Sequence, residues 1–296
     1  MTALLRGLLH NRKAMVGFGI IALIVIVALA APWLAPFDPG ARSGRPHQPP
    51  SLDHLLGTTR LGQDVLSRLL WGARTSLAVG FGAGLLITLV GTVMGILGGY
   101  SGGRTDEVVS FLTNMVLVVP NLPLLLVLAA FLGQASPIVI ALILGFTSWA
   151  WGARVTRAET LSVRQKDFVK SAEMMGEPRW RIMAVEIFPN LLSIVGINFI
   201  GSVVFAVITE ATLEFLGLGD PRAVSWGIML FNAQKASALA VGAWWDILTP
   251  CFALALLGIG LSLLNFAVDE IANPRLRTGG RLGRWSALIK AGEGRL

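Results

Sequence analysis

Charge is scarce in this sequence. Of its 296 residues, only 14% are Asp, Glu, Lys or Arg, against about 25% in a soluble globular domain. Cysteine is scarcer: Cys251 stands alone, so neither an internal disulfide nor a cysteine metal site can be assembled. His10, His47 and His54 are scattered along the chain, which argues against a histidine metal cluster, and no metal site is expected. No G-x-x-x-x-G-K-[ST] occurs, so the loop that cradles ATP phosphates is missing. No cofactor is therefore expected in this chain; if its work needs ATP and Mg, other subunits bind them. No catalytic residue is expected, because no nucleophile or metal constellation accompanies the carboxylates of the apolar runs.

What is abundant is apolar sequence, at 54% of residues and a mean hydropathy of +0.70. Five stretches carry no charge: 14–37, 75–103, 108–153, 187–209 and 247–268. A span needs roughly 20 apolar residues to cross about 30 Å of hydrocarbon. Each stretch is long enough for one, and 108–153 for two, with "LGQASP" (Leu132–Pro137) as the turn between them. At these lengths only helices satisfy the backbone inside lipid. The expected fold is an all-α integral membrane protein with six transmembrane helices and both termini cytoplasmic.

Orientation follows from Lys and Arg, which are enriched in cytoplasmic loops near span ends. With the N-terminus inside, seventeen of the 24 lie on the cytoplasmic side: three in 1–13, Arg104, seven from Arg154 to Arg181, and six from Arg275 to Arg295. The net charge of +7 thus reflects topology, and no nucleic-acid partner is expected. The lipid bilayer is the first partner. The division expected is a cytoplasmic N-terminus (1–13), a first span (14–37), an external loop with an amphipathic segment (38–74), a five-helix core (75–277) and a cytoplasmic tail (278–296). A cytoplasmic loop at 158–190 interrupts the core. The first span has a rival reading as a signal peptide, since "ALAA" (Ala28–Ala31) resembles a small-residue cleavage site, although its apolar run is longer than the usual signal core.

Between the fourth and fifth spans lies "KDFVKSAEMMGEPRWRIMAVEIFPN" (Lys166–Asn190). The fourth span is expected to run on as a helix to Met175, with Phe168, Ala172 and Met175 on one face and Lys166, Lys170 and Glu173 around the other. Gly176 suits the left-handed position that ends a helix, and Pro178 suits the first turn of the next. That second helix is expected to end at Ile187, ahead of Pro189. Two readings stand: a capped connector, or a handle through which another protein acts.

A resemblance bears on the choice. The segment resembles the coupling-helix signature of ABC importer permeases: E-A-A, three residues, Gly, nine residues, I-x-L-P. Lys170-Ser171-Ala172 takes the first place, Gly176 the glycine and Glu186-Ile187-Phe188-Pro189 the ending, with Lys for Glu and Glu for Ile as departures. "LGTTRLGQDVLSRLLWGARTSL" (Leu56–Leu77) and "TEATLEFLGLG" (Thr209–Gly219) resemble stretches of the dipeptide/oligopeptide/nickel permease family. The resemblance implies a type I ABC importer permease fold in the cytoplasmic or inner membrane. It implies a half-transporter that works with a second homologous permease, two cytoplasmic ATPases and an external solute-binding protein. It places Lys170, Ser171, Ala172, Met175, Gly176, Glu177, Pro178 and Pro189 in the ATPase-coupling segment.

Inside the membrane, Gly80, Gly84, Gly91, Gly95 and Gly99 line one helix, either for internal packing or as a seam with the second permease. Pro120 and Pro123 are expected to bend the third span. The candidate substrate path comprises Asn114, Pro120, Asn198, Glu210 and Glu214. The glutamates, stacked four residues apart, are read as polar lining near the outer mouth, as a binding-protein contact, or as an interfacial cap. The asparagines, Asn265 included, are read as helix–helix hydrogen bonds or ligand contacts. The ending "LLNFAVDEIANPRLR" (Leu263–Arg277) is similar to that of the oligosaccharide-transporting branch, and Trp226, Trp244 and Trp245 are candidates for stacking on sugars. Oligosaccharide is thus expected over peptide or nickel chelate. A stand-alone carrier and a membrane enzyme using Glu210 and Glu214 are the distant alternatives.

Overall fold

The computed structural model describes residues 11–272, so the basic residues from Arg275 onward, the tail 278–296 and the start of the N-terminal segment lie outside it. Among the described residues, four helices are long and apolar enough to cross a membrane: α1 (Arg12–Leu29), α2 (Val65–Ser101), α8 (Arg179–Phe215) and α10 (Trp245–Ala272). Two further pairs, α3 (Gly103–Val118) with α4 (Asn121–Leu132) and α5 (Pro137–Thr147) with α6 (Ala150–Arg164), pass the same test only as bent units. Counting each pair as one span gives six by length and composition. Among the described residues the short helices are Ala31–Leu34, α7 (Asp167–Met174) and α9 (Trp226–Lys235).

Helix starts follow side-chain chemistry. Asp64 caps α2 by accepting the Ser67 N–H, and Ser136, followed by Pro137, caps α5 in the same way. Each satisfies a donor that the first turn leaves without a partner. α2 begins ten residues before the apolar run expected to form the second span. At 37 residues it is about 55 Å long at 1.5 Å per residue, longer than the hydrocarbon is thick. Residues 65–74, placed in the loop before that span, are therefore part of α2 itself.

α2 is the hub, packed against α1, α5, α6 and α8. Its glycines explain how. A β-carbon at Gly95 would lie 2.6 Å from Thr156 Cβ, and one at Gly99 would lie 2.7 Å from Thr160 Cβ. Gly80 and Gly84 abut Val207 and Val203 of α8. Lipid gives apolar helices no hydrophobic drive to associate, so close backbone approach and dispersion must hold them. The glycine face belongs to internal packing, not to a seam with another permease. α1 packs along α10 in the same way: a β-carbon at Gly17 would meet the Gly260 carbonyl oxygen at 2.7 Å.

The breaks correct several expectations. The third span bends by 82° between α3 and α4, at Val119–Pro120, where a kink was expected. The fourth also bends, by 41° at Ser148–Trp149. It does not run on to Met175: α6 ends at Arg164, and α7 starts anew after Gln165 and Lys166. Pro189 ends nothing. Residues Ile182–Ile187 form a π-helical turn, and the Phe188 N–H bonds to the Met183 carbonyl oxygen. The wider turn lets α8 pass through a residue that has no N–H to donate, while Asn190 Nδ2 donates to the Glu186 carbonyl oxygen (2.7 Å).

Candidate functional site

Three places gather the sequence-derived candidates. The first is the loop around Gly176. Gly176 has φ +78°, its N–H bonds to the Glu173 carbonyl oxygen (3.1 Å), and the Glu177 N–H bonds to that of Ala172 (3.2 Å). This is the paired-bond arrangement of a left-handed helix C-terminus. Pro178 follows at φ −67° as the cap of α8, and Glu177 pairs with Arg181. The expected helix, glycine bend and helix are present, but the expected face is not. Val169 and Ala172 are the buried residues of α7, in one cluster with Tyr100, Ile182, Ile187 and Leu191. Phe168, Met174, Met175 and Trp180 are exposed, Met174 and Met175 by 82% and 75%. Ala172 is thus an anchor. Lys170, Ser171 and Pro189 are also exposed.

The second place is the carboxylate pair. Glu210 and Glu214 are both fully buried. Ser76 Oγ donates to Glu210 Oε1 (3.4 Å) and accepts the Trp226 N–H (3.3 Å). Ser225 Oγ donates to Glu214 Oε2 and accepts the Ile228 N–H (3.2 Å) at the start of α9. Glycines close the wrapping: a β-carbon at Gly219 would lie 2.7 Å from Glu214 Cγ, and one at Gly227 would lie 2.8 Å from Glu214 Cβ. A carboxylate one turn from a helix N-terminus also gains from the helix dipole. Neither glutamate lines a mouth open to solvent; they join α8 to α2 and α9, inside the chain. Ser225 and the glycine after Trp226 went unnoticed in the sequence, although Ser-x-Gly after "GLG" is a visible signal for a cap.

The third place is a cavity of about 560 Å³ between the two breaks. Pro120, Asn121, Ser148 and Trp151 come from the bends, Asn198 and Ser202 from α8, and Asn265 from α10. Asn121 Nδ2 donates to Ser148 Oγ (3.2 Å), so one break holds the other. Non-helical backbone at membrane depth is tolerated where it lines a cavity or is buried in protein. Of the expected path residues, Pro120 and Asn198 meet here. Asn114 does not: its Oδ1 accepts from Arg154 Nη2 (2.8 Å), joining α3 to α6.

The tryptophans expected to stack on sugars have other work. Trp226 and Trp245 are buried, their Nε1 atoms donating to the carbonyl oxygens of Leu69 (3.0 Å) and Thr58 (3.2 Å). Only Trp244 of the three is exposed. The segment 219–245 contains α9, with Trp226, Gly227, Ile228, Met229 and Ala233 buried. The motif at Leu56–Leu77 proves architectural. Asp64 accepts from Ser67 Oγ (2.7 Å) and contacts His54 Nδ1 (2.9 Å), Arg68 donates to the Pro39 carbonyl oxygen (3.1 Å), and Gly62 sits at φ +74°. Among the described residues, no group of three or more His, Cys, Asp or Glu could hold a metal ion.

Comparison with known proteins agrees with this architecture. Residues 91–278 match the family described as binding-protein-dependent transport system inner membrane component, and 3–50 match the N-terminal transmembrane domain of oligopeptide transport permease C. The di/tripeptide transport system permease protein DppC of Pseudomonas aeruginosa is 32% identical over 276 residues, covering 90% of each chain. The oligopeptide transport system permease protein OppC of Bacillus subtilis is 31% identical over 270 residues, covering 90% of this chain and 87% of that one. The dipeptide transport system permease protein DppC of the same organism is 30% identical over 275 residues, covering 92% and 85%.

Proposed function

Because the chain belongs to the family of binding-protein-dependent transport system inner membrane components, we propose that it is one permease of an ATP-driven peptide importer. In this reading it crosses the inner membrane six times, N-terminus inside, with each bent pair as one span. A second, homologous permease completes the path, two ATPases bind ATP and Mg in the cytoplasm, and an external binding protein delivers a short peptide. The chain itself is no enzyme.

The observation that carries the reading is the loop of α7 and its bend. Val169 and Ala172 fix it to the core, while Phe168, Met174, Met175 and Trp180 stay exposed beside Lys170, Glu173 and Arg179. An apolar cluster rimmed by charge, on a segment too polar to lie in hydrocarbon, suits a protein partner. A short helix rigidly joined to two spans transmits a rigid-body push. Asp106 strengthens the frame: its carboxylate accepts two hydrogen bonds from Arg157, at 2.5 and 2.6 Å, linking α3 to α6.

Peptide replaces oligosaccharide as the cargo. The relatives are named for peptides, and two of the three aromatic residues that favoured sugar are buried and hydrogen-bonded. The test is reconstitution of the whole complex in proteoliposomes. Peptide-loaded binding protein should stimulate ATP hydrolysis and uptake, and oligosaccharide should not. Stimulation by oligosaccharide alone would overturn the cargo, and uptake by the permease without ATPases would overturn the importer.

A further inference from the structure

The cavity between the two breaks carries no ionisable side chain: its lining is aliphatic, aromatic, Ser, Thr and Asn. Asn198 Nδ2 and Asn265 Oδ1, both on its wall, are buried atoms without a hydrogen-bond partner among the described residues. A buried amide left without a partner costs free energy comparable to a lost hydrogen bond, so a site that keeps two of them is incomplete by itself. The breaks add backbone ends to the same wall. Neither the start of α4 nor that of α6 has a side-chain cap, and first-turn N–H groups lack intrahelical partners. The site therefore offers donors and acceptors of amide strength and no net charge.

Resting on the peptide-importer reading, we infer that this cavity is an amide-reading section of the path: Asn198 and Asn265 hydrogen-bond the backbone amides of the passing peptide, and the wall ignores side-chain charge. The chemistry fits a cargo class that is constant in its backbone and variable in everything else. A carboxylate or guanidinium here would hold peptides of opposite charge and repel the rest. An amide pays no such preference to either sign, and its hydrogen bonds are weak enough to release what they bind. The lining residues Trp151 and Phe205 give apolar contact on the same terms.

The experiment uses the intact complex in proteoliposomes with three tripeptides of matched size: Ala-Ala-Ala, Ala-Lys-Ala and Ala-Glu-Ala. Uptake is normalised to each peptide's occupancy of the binding protein, and the amount of assembled complex is measured for every variant. The wild type should carry all three within about twofold. Asn198→Asp should favour the Lys peptide over the Glu peptide by about tenfold, and Asn198→Lys should reverse the order. Asn265→Asp, on a different helix, should repeat the first bias. A merely structural asparagine would lower all three rates together. Equal loss for every peptide in all three variants, or a wild type that already sorts by charge, overturns the inference while leaving peptide import intact. Absence of peptide uptake by the wild-type complex overturns the import reading and the inference together.

Discussion

Ser225 donates a hydrogen bond to Glu214 across the turn that separates α8 from α9, and the same oxygen accepts the Ile228 N–H. One hydroxyl thus holds a buried carboxylate and begins a helix. Removing it with Ser225→Ala leaves Glu214 short of a donor and α9 without its cap. The two losses are worth about 1–3 kcal/mol and about 0.5–2 kcal/mol in comparable settings. The variant should melt several degrees below the wild type in detergent, and Ser225→Thr should recover most of the difference. An unchanged melting temperature for the alanine variant would show that Glu214 is satisfied in some other way.

The loop gives a sharper pair. Ala172 is 4% exposed and Met175 is 75% exposed. Ala172→Arg should reduce the amount of folded permease, because a guanidinium would enter the cluster of Tyr100, Ile182 and Leu191. Met175→Glu should leave folding alone and weaken co-purification of the ATPases. Membrane abundance and pull-down are measured side by side; the reverse pattern would put the docking face on the other side of α7.

Gly176→Val should uncouple without unfolding. A β-carbon there meets nothing within 4 Å, so the effect is backbone strain at φ +78° and not a clash. The strain for a β-branched residue is of order 1–3 kcal/mol. Gly176→Asn, better suited to that region, should keep more ATPase-coupled uptake than the valine variant. Equal uptake by the two would remove the left-handed bend from the coupling argument.

Close helix approach can be tested within α2. Gly95→Val places methyl groups where Thr156 and the Ala153 carbonyl oxygen already lie within 2.8 Å, whereas Gly82 has nothing within 4 Å of its β-carbon site. The first substitution should cost expression and thermal stability heavily, and Gly82→Val should cost far less. Similar losses at both positions would mean that helix propensity and not packing sets the cost.

A reporter inserted after Lys166 should be cytoplasmic and one within 42–54 external, since the basic residues of the described loops are unevenly shared between the two ends of the helices. Both reporters on one side would break the assignment of bent pairs as single spans.

Much of this fold was legible because lipid is a demanding solvent. Uncharged runs had to become helices, and Gly-Glu-Pro after a helical stretch had to become a turn with positive φ. What escaped was everything decided by a partner from elsewhere in the chain. Phe168, Ala172 and Met175 form a plausible face on a helical wheel, yet Val169 and Ala172 were selected by Ile182 and Leu191, which follow in α8. Glu210 and Glu214 suggested a wet mouth because a charge in an apolar run ordinarily seeks water. Ser76 of α2 and Ser225, the cap of α9, gave them protein donors instead. The break at Ser148–Trp149 has no proline to announce it, and it is visible only in company with Asn121.

The π-helical turn at Ile182–Ile187 has a consequence for chain length. It accommodates one residue more than an α-helix would need, and each α-helical residue advances the chain by about 100° of rotation. That surplus sets the azimuth at which Met175 and Trp180 leave the core relative to Asn198, further along the same helix. Deleting a single residue there would yield a more regular helix and a misdirected loop. In this segment, spacing is as much a determinant as residue type: a protein could keep every side chain that touches its partner and still lose the partner by being one residue too short.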